Sequence, residues 1–113
     1  TFIDQDAKAL KLVKENLKAC GLQGTVLQAD AMSFLTEGKK YDLIFLDPPY
    51  DAVLYAPALE KINSFDILTE GGIIICESRK ETQIPELQAP YFKKKEYRYG
   101  RIKLTKYCKA SLE

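Results

Sequence analysis

The chain has no histidine, no tryptophan, one methionine and three cysteines in 113 residues. Without histidine, the side chain most used for acid–base work and metal ligation near neutral pH is missing. Cys20, Cys76 and Cys108 lie far apart, are odd in number and form no C-x-x-C pair. Neither a disulfide framework nor a thiolate metal site is indicated, and no metal is expected. The simplest reading of the three thiols is buried free cysteine in a reducing compartment. No stretch approaches the eighteen or so apolar residues of a membrane span, and no charged-then-apolar leader opens the chain, so a cytoplasmic protein is expected. Internal repeats, linkers and low-complexity segments are also lacking.

What is present is ordinary for one soluble globular domain over residues 1–113, with 46% hydrophobic and 29% charged residues. The formal net charge of +1 hides an asymmetry. Residues 91–113 carry eight Lys or Arg against Glu96 and Glu113, whereas residues 1–90 carry nine basic and fourteen acidic side chains. Basic charge is concentrated at one end.

Apolar runs and helical stripes alternate along the chain. Thr1-Phe2-Ile3-Asp4 reads as a strand already under way. Asp6 can cap a helix whose stripe is Ala7, Leu10, Val13, Leu17 and Cys20, with Gly21 as its stop. A second strand, residues 25–28, leads to Asp30, and residues 31–36 fit a short helix. Residues 41–46 form a third strand, residues 55–64 a further helix, and Glu70-Gly71-Gly72 a turn into the strand 73–76. This order implies a parallel sheet covered by helices on both faces. Residues 78–90, punctuated by Pro85 and Pro90, read as a loop. Residues 92–98 and 101–108 then form an antiparallel hairpin around Tyr99-Gly100.

The most informative stretch is Asp47-Pro48-Pro49-Tyr50, directly after the apolar run Leu43-Ile44-Phe45-Leu46. Two prolines fix their own φ and lack amide hydrogens, so the strand stops abruptly in a stiff turn. Asp4, Asp30, Asp47 and Glu77 each follow a strand of the predicted parallel sheet and so line its carboxyl edge, where open α/β sheets bind ligands. Gathered acids repel unless something rich in hydrogen-bond donors binds there. Asp4 suits ribose hydroxyls. Asp30 suits an adenine amino group or serves as an N-cap. Glu77 reads as structural rather than functional.

Together these segments resemble the class I, S-adenosylmethionine-dependent methyltransferases that methylate an exocyclic amino nitrogen of a nucleic-acid base. Within that group the chain is similar to the RsmD-like family, the bacterial small-subunit ribosomal RNA guanine-N2 methyltransferases. The resemblance runs through Phe2-Ile3-Asp4, Glu15-Asn16-Leu17, Asp30-Ala31-Met32-Ser33-Phe34-Leu35, Asp47-Pro48-Pro49-Tyr50, Glu77-Ser78 and the basic hairpin. It implies a three-layer Rossmann-like α/β fold with a C-terminal antiparallel hairpin. It also implies S-adenosylmethionine held by Asp4, Asp30, Ala31 and Asp47, with Asp47, Pro48, Pro49 and Tyr50 as the catalytic turn. Asp47 and the Pro48 carbonyl would accept the amino N–H bonds while Tyr50 stacks on the flipped base.

Ribosomal RNA, or a small-subunit assembly intermediate, is then the expected partner. Lys93, Lys94, Lys95, Arg98, Arg101 and Lys103 are its expected contacts, with Tyr91, Tyr97, Tyr99 and Tyr107 interleaved for stacking. The plainer alternative is an edge hairpin kept from aggregating by its lysines. Unlike the family, the chain has no Gly-rich turn before Asp4. A first strand lying between those that end at Asp4 and Asp47 is therefore expected to be missing, giving an N-terminally truncated, catalytically incomplete domain with edges open to self-association.

Three other functions compete. A DNA adenine-N6 or other amino methyltransferase shares the four-residue motif. A non-catalytic RNA-binding domain keeps the fold and the hairpin. A nicotinamide-dependent Rossmann enzyme explains Asp4 but leaves Asp-Pro-Pro-Tyr without a role.

Overall fold

The computed structural model describes residues 1–36, 38–47 and 55–110, in two compact units, Thr1–Leu35 and Thr36–Glu113. Pro48, Pro49 and Tyr50 lie outside the described residues.

The first unit contains β1 (Phe2–Asp4), α1 (Ala7–Ala19), β2 (Val26–Gln28) and α2 (Ala31–Phe34). β1 and β2 pair in parallel, with Asp4 opposite Gln28. α1 starts where the Asp6 carboxylate accepts the Lys8 N–H at 2.9 Å. It closes at Gly21, whose φ of +69° lets the Leu22 N–H reach the Leu17 carbonyl at 2.9 Å. Leu10 is buried and Val13 and Leu17 are half-buried. Ala7 and Cys20, expected on the same stripe, are exposed. A thirteen-residue helix outruns three-residue strands, because its rise of about 1.5 Å per residue still gives roughly twice their length. The expectation of three buried thiols is thus corrected at Cys20, the exposed C-cap of α1. α2 stops at Phe34 rather than residue 36, since Leu35 turns extended with ψ at 99°.

The second unit contains β3 (Tyr41–Leu46), α3 (Tyr55–Phe65), β4 (Leu68–Arg79), β5 (Tyr91–Tyr99) and β6 (Ile102–Lys109). The sheet order is β3-β4-β6-β5, parallel between β3 and β4 and antiparallel elsewhere. Ladders among the described residues therefore fall in two sheets, with β3 at an edge of the second. Leu43 and Phe45 on that edge are 63% and 57% exposed. The expected hairpin is present and joins the sheet through β6.

Two features differ from expectation. Glu70-Gly71-Gly72 is not a turn between elements but a bulge inside β4. The register passes from Tyr41 opposite Leu68 to Leu43 opposite Ile73, with Gly71 at φ +79° absorbing the extra chain. β4 also continues beyond Glu77, because β6 pairs with it out to Arg79 opposite Ile102.

The core of this unit is built from Leu59 and Ile62 of α3, then Ile67, Leu68, Ile74, Cys76 and Tyr107, all fully buried. On β6 the sides are the reverse of what hydrophobicity suggests. Lys103, Thr105 and Tyr107 are buried, while Ile102 is 40% exposed and Leu104 and Cys108 are half-exposed. Lys103 and Tyr107 are tolerated there because the 80–90 loop supplies carbonyls. Lys103 Nζ donates to Thr82 O at 2.6 Å and the Tyr107 hydroxyl to Pro85 O.

Candidate active site

β3 and β4 run in register through Phe45 opposite Ile75 and Leu46 opposite Cys76. Parallel partners project on the same side, so the next residues, Asp47 and Glu77, stand side by side where the β3–β4 ladder ends. The Glu77 carboxyl is hydrogen-bonded with that of Asp47, and this contact, with burial and the neighbouring negative charge, raises the Glu77 pKa above the usual glutamate value. A neighbouring carboxyl makes ionisation of Glu77 costlier because like charges repel at short range.

Behind them stands Tyr55 at the start of α3, only 5% exposed, with its hydroxyl donating to the Glu77 carbonyl. Burial, helped by Cys76, Asp47 and Glu77, pushes the Tyr55 hydroxyl up to about 12. It therefore stays a neutral donor. The Cys76 thiol is likewise pushed up to about 12 by burial, which leaves no thiolate to act as a nucleophile. Tyr55 has no role in the sequence reading, and its place five residues after Asp-Pro-Pro-Tyr was the available signal. Among the described residues, no group of three or more His, Cys, Asp or Glu side chains is arranged to hold a metal. None of their helices is long and apolar enough to cross a membrane.

The first unit holds the remaining expected cofactor residues on its own carboxyl edge. Asp4 Oδ1 accepts the Asp6 N–H at 2.9 Å, and Asp30 Oδ1 caps α2 by accepting the Met32 N–H at 3.0 Å. The Ala29 N–H bonds the Asp4 carbonyl at 3.0 Å, which ties the two acidic strand ends together. Each carboxylate commits its Oδ1 to its own turn. Ala31 opens α2 directly after Asp30.

The hairpin's basic residues divide into two groups. Lys93 Nζ donates to Ile84 O at 2.7 Å and lies 3.5 Å from Glu86 and 3.7 Å from Glu96. Lys103 is 5% exposed and holds Thr82. Both ammonium groups pin the 80–90 loop. Lys94, Lys95, Arg98 and Arg101 are exposed, and Lys95 lies over the Tyr97 ring at 5.0 Å. Tyr99 is 62% exposed. Tyr91 and Tyr107, also expected to stack, are instead buried. A bulge between Lys93 and Lys95 causes this division, because the extra residue returns Glu96 to the inward side beside Lys93.

The family model described as "Conserved hypothetical protein 95" matches residues 1–108. A relative from Bacillus subtilis, named "Putative rRNA methyltransferase YlbH", is 33% identical over 105 residues, which cover 88% of this chain and 57% of the relative. "Ribosomal RNA small subunit methyltransferase D" of Buchnera aphidicola is 24% identical over 87 residues, covering 74% of this chain and 46% of the relative. The chain thus spans about half the length of these curated relatives. The solved structure titled "Putative methyltransferase yhhF from Escherichia coli" superposes with a TM-score of 0.82 at 24% identity, covering 95% of this chain and 61% of that one. The architecture is that of a Rossmann-like class I methyltransferase fold.

Proposed function

The chain belongs to the family described as Conserved hypothetical protein 95, the RsmD-like methyltransferases, and from this we propose that the intact protein methylates the exocyclic N2 of a guanine in small-subunit ribosomal RNA. The observation that carries the reading is Asp47, delivered by β3 to the carboxyl edge of the sheet within Asp-Pro-Pro-Tyr.

S-adenosylmethionine supplies an electrophilic methyl group bonded to a sulfonium sulfur. The chain's residues do the rest. Asp4 and Asp30 use their carboxylate oxygens for ribose hydroxyls and the adenine amino group. A base amino group is a weak nucleophile because its lone pair is delocalised into the ring. Asp47 and the Pro48 carbonyl accept its two N–H bonds and turn the lone pair toward the methyl carbon. As the base nitrogen takes up the methyl group, its amino proton would depart along the hydrogen bond to Asp47. Tyr50 would stack on the extruded base, and Pro49, with its fixed φ, would limit the freedom of the segment. Orientation of this kind is worth at most about 7–11 kcal/mol of the barrier.

The hairpin grips RNA through Lys94, Lys95, Arg98 and Arg101. Lys95 lies opposite Lys106 in the ladder, a like-charge pair that is unfavourable until a polyanion lies across it. Such a substrate implies action in the cytoplasm.

The test is transfer of tritiated methyl groups by the intact protein to small ribosomal subunits, bare ribosomal RNA and DNA. Label is expected in guanine of the RNA. Asp47→Ala is expected to lower turnover by roughly 10²- to 10³-fold, the scale for losing one hydrogen-bonding group at a reacting centre, with RNA affinity held within about twofold. Label confined to DNA adenine would replace the substrate assignment. RNA binding without turnover in the wild type would favour a non-catalytic domain.

A further inference from the structure

Glu77 has no role in the methyl transfer just described, yet it stands beside Asp47 at the same edge. We infer that Glu77 selects guanine as the target base, its carboxylate accepting the base N1–H while Asp47 accepts the neighbouring amino N–H. This inference rests on the proposed methylation of guanine N2.

The placement follows from the β3–β4 register, which sets the two carboxyls side by side on one face. Glu77 is held firmly. Its peptide pairs with Leu104 of β6, and its carbonyl accepts the buried Tyr55 hydroxyl. A recognition group on such a strand is positioned more closely than one on a loop.

Neither carboxyl has a cationic partner among the described residues. The ion pairs seen at Asp66, Glu86 and Glu96 involve Lys40, Lys93, Arg98, Lys103 and Lys109, none of them with Asp47 or Glu77. Two carboxyls set side by side by the strand register seek hydrogen-bond donors, and a ligand's N–H groups can supply them.

Guanine offers a matching set, because its Watson–Crick edge presents N1–H directly beside the N2 amino group. Two neighbouring carboxylates accept these donors, Glu77 the N1–H and Asp47 the amino N–H. Adenine presents its amino group beside the N1 lone pair, which would face the Glu77 carboxylate acceptor to acceptor. Buried polar groups left unpaired or opposed are the strongest source of discrimination between similar ligands.

The test first locates the methylated guanine in small-subunit ribosomal RNA by mass spectrometry of nuclease fragments, using the intact protein. That nucleotide is then replaced by 2-aminopurine, which keeps the amino group and lacks N1–H. Wild-type kcat/KM is expected to fall on the order of 10- to 100-fold on the 2-aminopurine substrate, the usual worth of a specific base contact. Glu77→Ala is expected to shrink the ratio to about threefold or less by losing activity on guanine. Glu77→Gln, which retains an acceptor oxygen, is expected to fall between. Equal wild-type rates on the two substrates overturn the inference, and that measurement needs no variant to fold. Full discrimination in Glu77→Ala or Glu77→Gln overturns it as well. If no guanine in the RNA is methylated, the functional reading itself fails and the inference falls with it.

Discussion

Asp66 joins α3 to the β-sheet of the second unit, and its removal has a calculable consequence. It follows α3 at φ +52°, where the Asp66 N–H bonds the Asn63 carbonyl and the Ile67 N–H bonds the Ile62 carbonyl. It thus fills a helix-closing position usually given to glycine or asparagine. Its carboxylate accepts from the Tyr91 hydroxyl at 2.8 Å, from Lys109 at 2.8 Å and from Lys40 at 3.1 Å. The hydrogen bond from Lys109 is the main cause that lowers its pKa from 3.8 to about 2, with Tyr91 and Lys40 assisting.

Asn is the appropriate replacement, since it tolerates positive φ and keeps the shape while losing the charge. Breaking a fully buried ion pair costs about 3–5 kcal/mol, and breaking an exposed one about 0.2–1 kcal/mol. Lys109 is 8% exposed and Asp66 46%, so the Lys109 contact lies between these limits. The Lys40 contact, with both side chains about half exposed, belongs at the lower one. Asp66→Asn is therefore expected to destabilise the intact protein by about 2 kcal/mol near pH 7. The sign of the pH dependence follows from the lowered folded-state value. The carboxylate's contribution is fully present above the unfolded value near 3.8 and is lost as pH falls toward 2. Equilibrium urea unfolding followed by circular dichroism should show a constant gap between wild type and variant from pH 5 to 7, closing between about pH 4 and 2. A gap that is absent at pH 7, or equally wide at pH 2, would refute the reasoning.

Other expectations follow from the same unit. Lys94→Ala and Arg98→Ala should each reduce the salt dependence of RNA binding by roughly one counterion, measured as the slope of log affinity against log salt. Lys103→Met should leave that slope unchanged and speed limited proteolysis within residues 80–90. Gly72→Ala should lower the urea midpoint by an amount equivalent to about 1–3 kcal/mol, because a Cβ there would lie 2.7 Å from Leu68 Cγ and 2.8 Å from the Thr69 carbonyl. Thr105 is fully buried and its hydroxyl has no hydrogen-bond partner among the described residues. Thr105→Val should therefore be neutral or raise the same midpoint by up to about 1 kcal/mol.

Local physics made much of this fold readable. Asp6 and Asp30 act as helix caps because a side-chain oxygen two residues before a free N–H suffices, whatever the tertiary context. The run ending in Asp47 is a strand because nothing in Leu43-Ile44-Phe45-Leu46 supports a helical face. Nonlocal partners supplied the remainder. Only the ladder with β6 shows that β4 runs past Glu77 to Arg79. Lys93 and Lys103 read as surface charge because lysine is rarely buried, yet the carbonyls of Ile84 and Thr82 give their ammonium groups an interior place. A lone aspartate after a helix likewise gave no hint that Tyr91 and Lys109, from two other strands, would converge on Asp66.

The bulge in β4 connects the fold to the candidate site. Before it, β3 and β4 are offset by 27 residues, with Tyr41 opposite Leu68. After it they are offset by 30, with Leu43 opposite Ile73 and Leu46 opposite Cys76. Gly71 and Gly72 allow three residues to be absorbed without breaking the strand, one by its positive φ and the other by leaving room for Leu68. Side chains alternate along a strand, so the count matters more than the length. One residue more or fewer in the bulge would turn Glu77 to the opposite face from Asp47 and send Cys76 out of the core. The pairing of two carboxyls at the sheet edge is therefore set some five residues upstream of Glu77, by a glycine pair that the sequence presents as a turn.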